Sequence, residues 1–190
     1  NLALDENHMR VTLDGLTAIS GINPAVETLC QIVGIIHLSN PVDPGKDYCI
    51  PVETKNHSYD DGKGNKMSGH WVIPTGKHRY HSAINSQLQM ETDSIRLHAA
   101  AVHVHPFATA LTLWDKTANK VIFKSNVINH QGKIGLSKID AFSSESGVWM
   151  YKNHEYELVL EVNNTTTINQ DMMGSMFLFF YDEELDALLH

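Results

Sequence analysis

Leu111-Thr112-Leu113-Trp114, then Asp115-Lys116-Thr117-Ala118-Asn119, then Val121-Ile122-Phe123: an apolar stretch, a run of turn formers and a second apolar stretch. Apolar segments of strand length bounded by Asp, Asn and Thr read as antiparallel strands joined by a turn, a β-hairpin. Residues 148–151 lead in the same way through Lys152-Asn153-His154 into residues 156–162, which predicts a second hairpin. Upstream, Val102-His103-Val104-His105 alternates apolar and polar, as a half-buried strand does. Downstream, Met176-Phe177-Leu178-Phe179-Phe180-Tyr181 is apolar and aromatic nearly throughout, as expected of a strand covered on both faces. Helical signals are confined to residues 23–32, opened by Pro24, and residues 182–189, whose acidic first turn suits a helix N-terminus. The chain is therefore expected to be all-β. It should form an antiparallel, jelly-roll-like β-sandwich over residues 71–185, with an irregular extension over 1–70 packed on the core and a short tail at 186–190.

A chain of 190 residues with 42% hydrophobic content can bury one substantial core, so a single main domain is expected. The 22 acidic residues outnumber the 14 basic ones, for a net charge of −8. That balance repels phosphate backbones and anionic membranes, and nucleic acid is not an expected partner. The longest apolar run, residues 32–38, is interrupted by Gly34 and His37 and falls far short of the roughly 20 residues that span a bilayer. The chain begins at Asn1 with neither Met nor a basic leader, as a mature periplasmic, cell-surface or extracellular protein would after loss of a signal peptide.

Cys30 and Cys49 are the only cysteines. A bridge between them would close a loop and contribute about 3 kcal/mol; the alternative is two buried free thiols in a reducing compartment. Residues 40–67 read as a long loop, and its Asp60-Asp61-Gly62-Lys63-Gly64-Asn65 run lacks the full calcium-loop pattern and is taken as a solvated turn. Asn56, Asn163 and Asn164 each begin an Asn-x-Ser/Thr triplet, a pattern too common by chance to assign glycosylation.

Twelve histidines and seven methionines direct attention to metal chemistry. On a strand, residues two apart share a face, so His103 and His105 should project together while Val102 and Val104 face the other way. Two imidazoles on one rigid face can share an ion; two solvent-facing histidines are the plainer reading. Met172, Met173 and Met176 lie near the start of the last apolar strand. Thioethers are soft ligands that, with imidazole, select copper and favour Cu(I), although methionine is more often packing material.

Three segments, in order, join these observations: Val72-Ile73-Pro74-Thr75-Gly76-Lys77, Ala101-Val102-His103-Val104-His105, and Asp171-Met172-Met173-Gly174-Ser175-Met176-Phe177-Leu178-Phe179-Phe180. They carry a resemblance, over residues 71–184, to the second catalytic domain of the copper type II, ascorbate-dependent monooxygenases, the family of peptidylglycine α-hydroxylating monooxygenase and dopamine β-monooxygenase. The resemblance implies a jelly-roll sandwich that binds one copper ion, as Cu(I), through His103, His105 and Met172, with Met173 as the alternative if the alignment is displaced by one residue.

The resemblance is incomplete in ways that bear on the reaction. Residues 1–69 are too short to supply the partner copper domain of those enzymes, and His8, His37 and His57 are scattered through them. His70, His78 and His81 flank a strand and turn where exposed histidines are ordinary. Where the peptide-hydroxylating members hold the substrate carboxylate, this chain has Ala101, Gly174 and Met176, none of which donates a hydrogen bond from its side chain. Met173 also replaces a family cysteine. A copper protein that captures, stores or delivers the ion, with a copper-receiving partner, is therefore expected ahead of a monooxygenase needing an external electron donor. A sandwich module that has lost its metal is the third reading. The extension over residues 1–69 is expected to cover the face that a partner domain would otherwise occupy.

Overall fold

The computed structural model describes residues 32–37, 40–41, 59–60, 66–68, 70–88, 90 and 92–181, with side chains from Trp71 onward. Two antiparallel sheets pack against each other. The first runs in the order β1 (Ile32–His37), β13 (Gln170–Tyr181), β7 (Ser94–Val104) and β11 (Phe142–Tyr151), and β5 (His70–Ile73) pairs with the opening residues of β13. The second runs β10 (Leu136–Ile139), β9 (Lys120–Asn129), β8 (Ala108–Asp115), β12 (Tyr156–Asn164) and β6 (Gly76–Ala83). A small third sheet joins β2 (Asn40–Pro41), β4 (Lys66–Ser68) and β3 (Tyr59–Asp60), and one helical turn, α1 (Asn85–Leu88), follows β6.

The first expected hairpin forms as read: β8 and β9 pair from Ala110 with Asn126 to Asp115 with Lys120. The Asp115 carboxylate closes its turn by accepting the Ala118 N–H at 2.9 Å, and Asn119 takes the left-handed conformation with φ at 50°. The second expected hairpin does not form. β11 pairs with β7 in the first sheet, whereas β12 pairs with β6 and β8 in the second, so Lys152-Asn153-His154 carries the chain between sheets. Tyr156 secures that corner: its ring is 1% exposed, and its hydroxyl accepts the Tyr151 N–H at 2.6 Å and donates to the Tyr151 carbonyl at 3.2 Å. Burial raises the Tyr156 pKa, with the bond to Tyr151 opposing, so the hydroxyl keeps its proton at neutral pH. His154 adds a bond from its ring to the Asp115 carboxylate at 2.7 Å, tying this corner to the β8–β9 turn.

The core lies between the two main sheets. Leu97, Ala100, Val104, Met172, Met176, Leu178 and Phe180 come from the first sheet, and Leu111, Leu113, Leu158 and Leu160 from the second. β13 is buried over most of its length on both faces, as its aromatic run predicted: Met176 and Leu178 are fully buried on the core side, and Ser175 and Phe179 are 1% exposed on the other. The N-terminal extension is not wholly irregular. Residues 32–37 form β1, paired with β13 from Ile32 with Phe180 to His37 with Ser175, because a β-branched apolar stretch there satisfies its backbone on the β13 ladder. The long loop over 40–67 likewise contains the short β2–β4–β3 sheet. The expected helices over 23–32 and 182–189 lie outside the described residues except Ile32, which begins β1; Cys30, Cys49 and Asn56 also lie outside them.

Asn164 joins the sheets at one end. Its side chain donates to the Ile168 carbonyl at 2.8 Å and the Ile73 carbonyl at 3.4 Å, and accepts from the Thr166 N–H at 3.0 Å and the Thr166 hydroxyl at 2.7 Å. It is completely buried, so its amide is closed to glycosylation in the folded chain. Asn164→Ala should cost about 2–3 kcal/mol, because buried partners would lose their bonds. Chemical denaturation reads this as a lower midpoint at unchanged slope; a midpoint equal to that of the parent chain would contradict the assignment.

Candidate metal centre

Alternation along β7 places the two histidines as their spacing predicts. Val104 is 5% exposed and Val102 packs against the core, whereas His103 is exposed and His105 partly so. Both imidazoles stand on the face of the first sheet that is turned away from the core. Their ring centroids are 5.6 Å apart with planes at 76°. Asp171, on β13, reaches this pair: its Oδ2 lies 2.8 Å from His105 Nδ1. A carboxylate at Nδ1 holds the neutral ring in the tautomer that carries its proton there, so that Nε2 bears the lone pair. This is how ligating histidines are commonly oriented.

The turn after His105 is held tightly. Pro106 leads into Phe107, whose φ is +75°, a left-handed conformation that is costly for a bulky residue. The Asn129 side chain compensates by accepting the Phe107 N–H at 2.7 Å and donating to the Ala108 carbonyl at 2.8 Å. Phe107 itself is 9% exposed. The strained backbone is thus fixed from β9, and with it the end of the strand that carries the histidines.

Met172 is not with them. It is fully buried in the core cluster, register partner of the buried Trp71. Side chains alternate along β13, and the core positions are Met172, Met176, Leu178 and Phe180. The opposite face therefore carries Asp171, Met173 and Ser175, a phase fixed independently by the Asp171–His105 contact. Met173 is partly exposed, and the neighbouring Ser175 is register partner of His103. Met173 therefore shares the face of His103 and His105, whereas Met172, the methionine expected with them, faces the core. Asp171 was missed in the sequence, although it is the one charged residue of β13 and its polarity marks the face that Met173 shares.

His103, His105, Asp171 and Ser175 each have further partners besides these. Among the described residues, no group of three His, Cys, Asp or Glu side chains is placed to hold a metal ion. The other histidines on β6 serve structure: His78 bonds the Thr75 carbonyl at 3.0 Å, and His81 bonds Glu157 at 3.0 Å. The positions that resemblance assigns to substrate anchoring hold no donors here: Ala101 and Met176 are fully buried, and Gly174 has no side chain. Among the described residues no helix is long and apolar enough to cross a membrane. Comparisons with protein-family models, with curated proteins and with solved structures return no match.

Proposed function

We propose that the protein binds one copper ion, as Cu(I), through His103, His105 and Met173, and that it captures, stores or passes on that ion outside the cytosol. The observation that supports the reading is the pair of imidazoles 5.6 Å apart on one face, one of them held at Nδ1 by Asp171. The adjacent thioether gives the set its chemistry: two neutral nitrogens and a soft sulfur suit Cu(I) better than zinc, magnesium or calcium. Asp171 orients His105 and stays one bond removed from the ion.

A monooxygenase reading shares these ligands but has less behind it. Hydroxylation by dioxygen needs two electrons where one Cu(I) supplies one, and the anchoring positions Ala101, Gly174 and Met176 offer a substrate carboxylate nothing. Capture and delivery require neither a second electron nor an anchor, only a copper-receiving partner.

The test is metal analysis of protein purified with copper present. The parent chain is expected to carry one equivalent, and a His103→Ala/His105→Ala variant essentially none. A variant that kept a full equivalent would sink the site. Ascorbate-driven oxygen uptake by the copper-loaded protein is expected not to exceed that of free copper; uptake well above it would favour the monooxygenase.

A further inference from the structure

The β7–β8 turn, the β9–β10 loop and the β12–β13 loop meet around a cleft of about 430 Å³, which is within the size range of small-molecule sites. Phe107 and Ile134 give it an apolar wall, and His130, Lys133, Asn163 and Thr165 give it polar groups. No carboxylate lines it, although acidic residues outnumber basic ones by 22 to 14 in the chain.

The polar groups of the cleft are not engaged by the fold. Lys124 pairs with Glu161 at 3.0 Å and Lys138 with Asp140 at 2.8 Å, whereas Lys133 pairs with no carboxylate among the described residues. The Asn129 side chain is occupied by Phe107 and Ala108. That of Asn163 bonds nothing among the described residues, although its backbone N–H donates to the Phe107 carbonyl at 2.8 Å. The β9–β10 loop is closed by the His130 N–H on the Gly135 carbonyl at 2.9 Å. Within it, the exposed N–H groups of Gly132, Lys133 and Ile134 meet no acceptor among the described residues. One wall is also strained: Phe107, at φ +75°, is held at its N–H by Asn129 and at its carbonyl by Asn163. Strain held in this way clusters at ligand sites.

The donors define the ligand. A planar carboxylate is best matched by the fork of an arginine, and no arginine lines the cleft. An ammonium, an amide, a hydroxyl and loop N–H groups from separate chain segments suit a tetrahedral oxyanion, which accepts bonds from several sides. The cleft is larger than a phosphate needs, and Ile134, 64% exposed, would gain cover from an organic group.

We propose that the cleft binds a small phosphate monoester. Lys133 and the N–H groups of its loop hold the phosphate, Asn163 and Thr165 complete its bonds, and Phe107 and Ile134 flank the organic group. This site is independent of the copper reading. The net charge of −8 opposes an extended polyanion, but its distant charges are screened beyond about 8 Å at physiological salt, and the cleft itself is free of acids.

The experiment follows the backbone amide signals of the full-length chain by NMR during titration with phenyl phosphate, phenol or inorganic phosphate. Parent, Lys133→Gln and Lys120→Gln chains are compared. Phenyl phosphate is expected to shift the signals of Phe107 and of residues 130–135 and 163–166 to saturation, and phenol to leave them in place. Inorganic phosphate should bind about threefold or more weakly for want of the apolar contact. Lys133→Gln should weaken phenyl phosphate by about threefold to fivefold, with Lys120→Gln at parent affinity. No saturable shift at these signals would overturn the site. Phenol binding as tightly as phenyl phosphate, or parent affinity in Lys133→Gln, would overturn the role of the phosphate. Inorganic phosphate binding as tightly as the ester would overturn the organic group. The comparison of the three ligands needs only the parent chain, so it decides even if a variant does not fold.

Discussion

Met172→Ala is expected to lower stability by about 2–5 kcal/mol and leave Cu(I) affinity unchanged, whereas Met173→Ala does the reverse. The two methionines are adjacent in sequence and occupy opposite faces of one strand. Met172 is completely buried in the core cluster, with Trp71 as its register partner on β5, and removing its side chain leaves a cavity there. Met173 is partly exposed, so its truncation should cost less than about 1 kcal/mol. Its loss should weaken Cu(I) binding at least as much as the roughly 10–100-fold that removal of a supporting residue costs a metal site. Urea denaturation and Cu(I) competition on the two variants check both halves. Equal stability losses, or a copper defect in Met172→Ala alone, would show that the phase of β13 differs from the one described.

Gly147→Ala is expected to destabilise the chain by about 2–5 kcal/mol, from two sources. Between Ser143 and Val148 the register of β11 on β7 shifts, and the intervening residues bulge over His98. Gly147 sits there with φ at +67°, and a Cβ would come within 2.9 Å of His98 Nε2 and 3.0 Å of His98 Cε1. The imidazole cannot retreat easily: it is 2% exposed, its Nδ1 donates to the Ser144 carbonyl at 3.0 Å, and it stands edge-on to Tyr181 at 6.1 Å. At about 2–4 °C per kcal/mol for a chain of this size, the melting temperature should fall by at least about 4 °C. In a His98→Ala background the collision with the imidazole disappears, leaving the backbone strain and a 3.3 Å approach to Arg96 Cβ, so the same substitution should cost less there. A melting temperature for Gly147→Ala within a degree of the parent would contradict the geometry.

The fold class was legible because the β8–β9 hairpin announces itself locally, through Asp115 and Asn119 at a turn between apolar runs. The sandwich follows from several such segments with little helical period. Which sheet a strand joins is a different matter. The link through Lys152-Asn153-His154 has the composition of a hairpin turn, yet it connects two sheets, because pairing is decided by partners far away in sequence: Arg96 and Leu97 for β11, Tyr80 and Leu111 for β12. β1 was hidden for a related reason. Gly34 and His37 interrupt its apolar pattern, and the bonds that stabilise it lie on β13, some 140 residues downstream.

The site was legible to the same depth. His103 and His105 could be placed on one face from their spacing alone, since Val102 and Val104 set the phase. Met172 and Met173 could not be separated by hydrophobicity, because both are apolar and the strand continues apolar on both faces. Asp171 was the available clue, being the residue that water or a histidine would claim.

The most direct test of the copper site is a titration followed by NMR of the methionine methyl groups, with Cu(I) added to one equivalent. The chain has seven methionines, and Met172→Leu and Met173→Leu variants assign the two that matter. The Met173 methyl signal is expected to shift in proportion to added copper and to stop moving at one equivalent, with the Met172 signal nearly unmoved and the Met173 response lost in His103→Ala/His105→Ala. A Met173 signal that stays in place through one equivalent, or that moves equally without the two histidines, would contradict it.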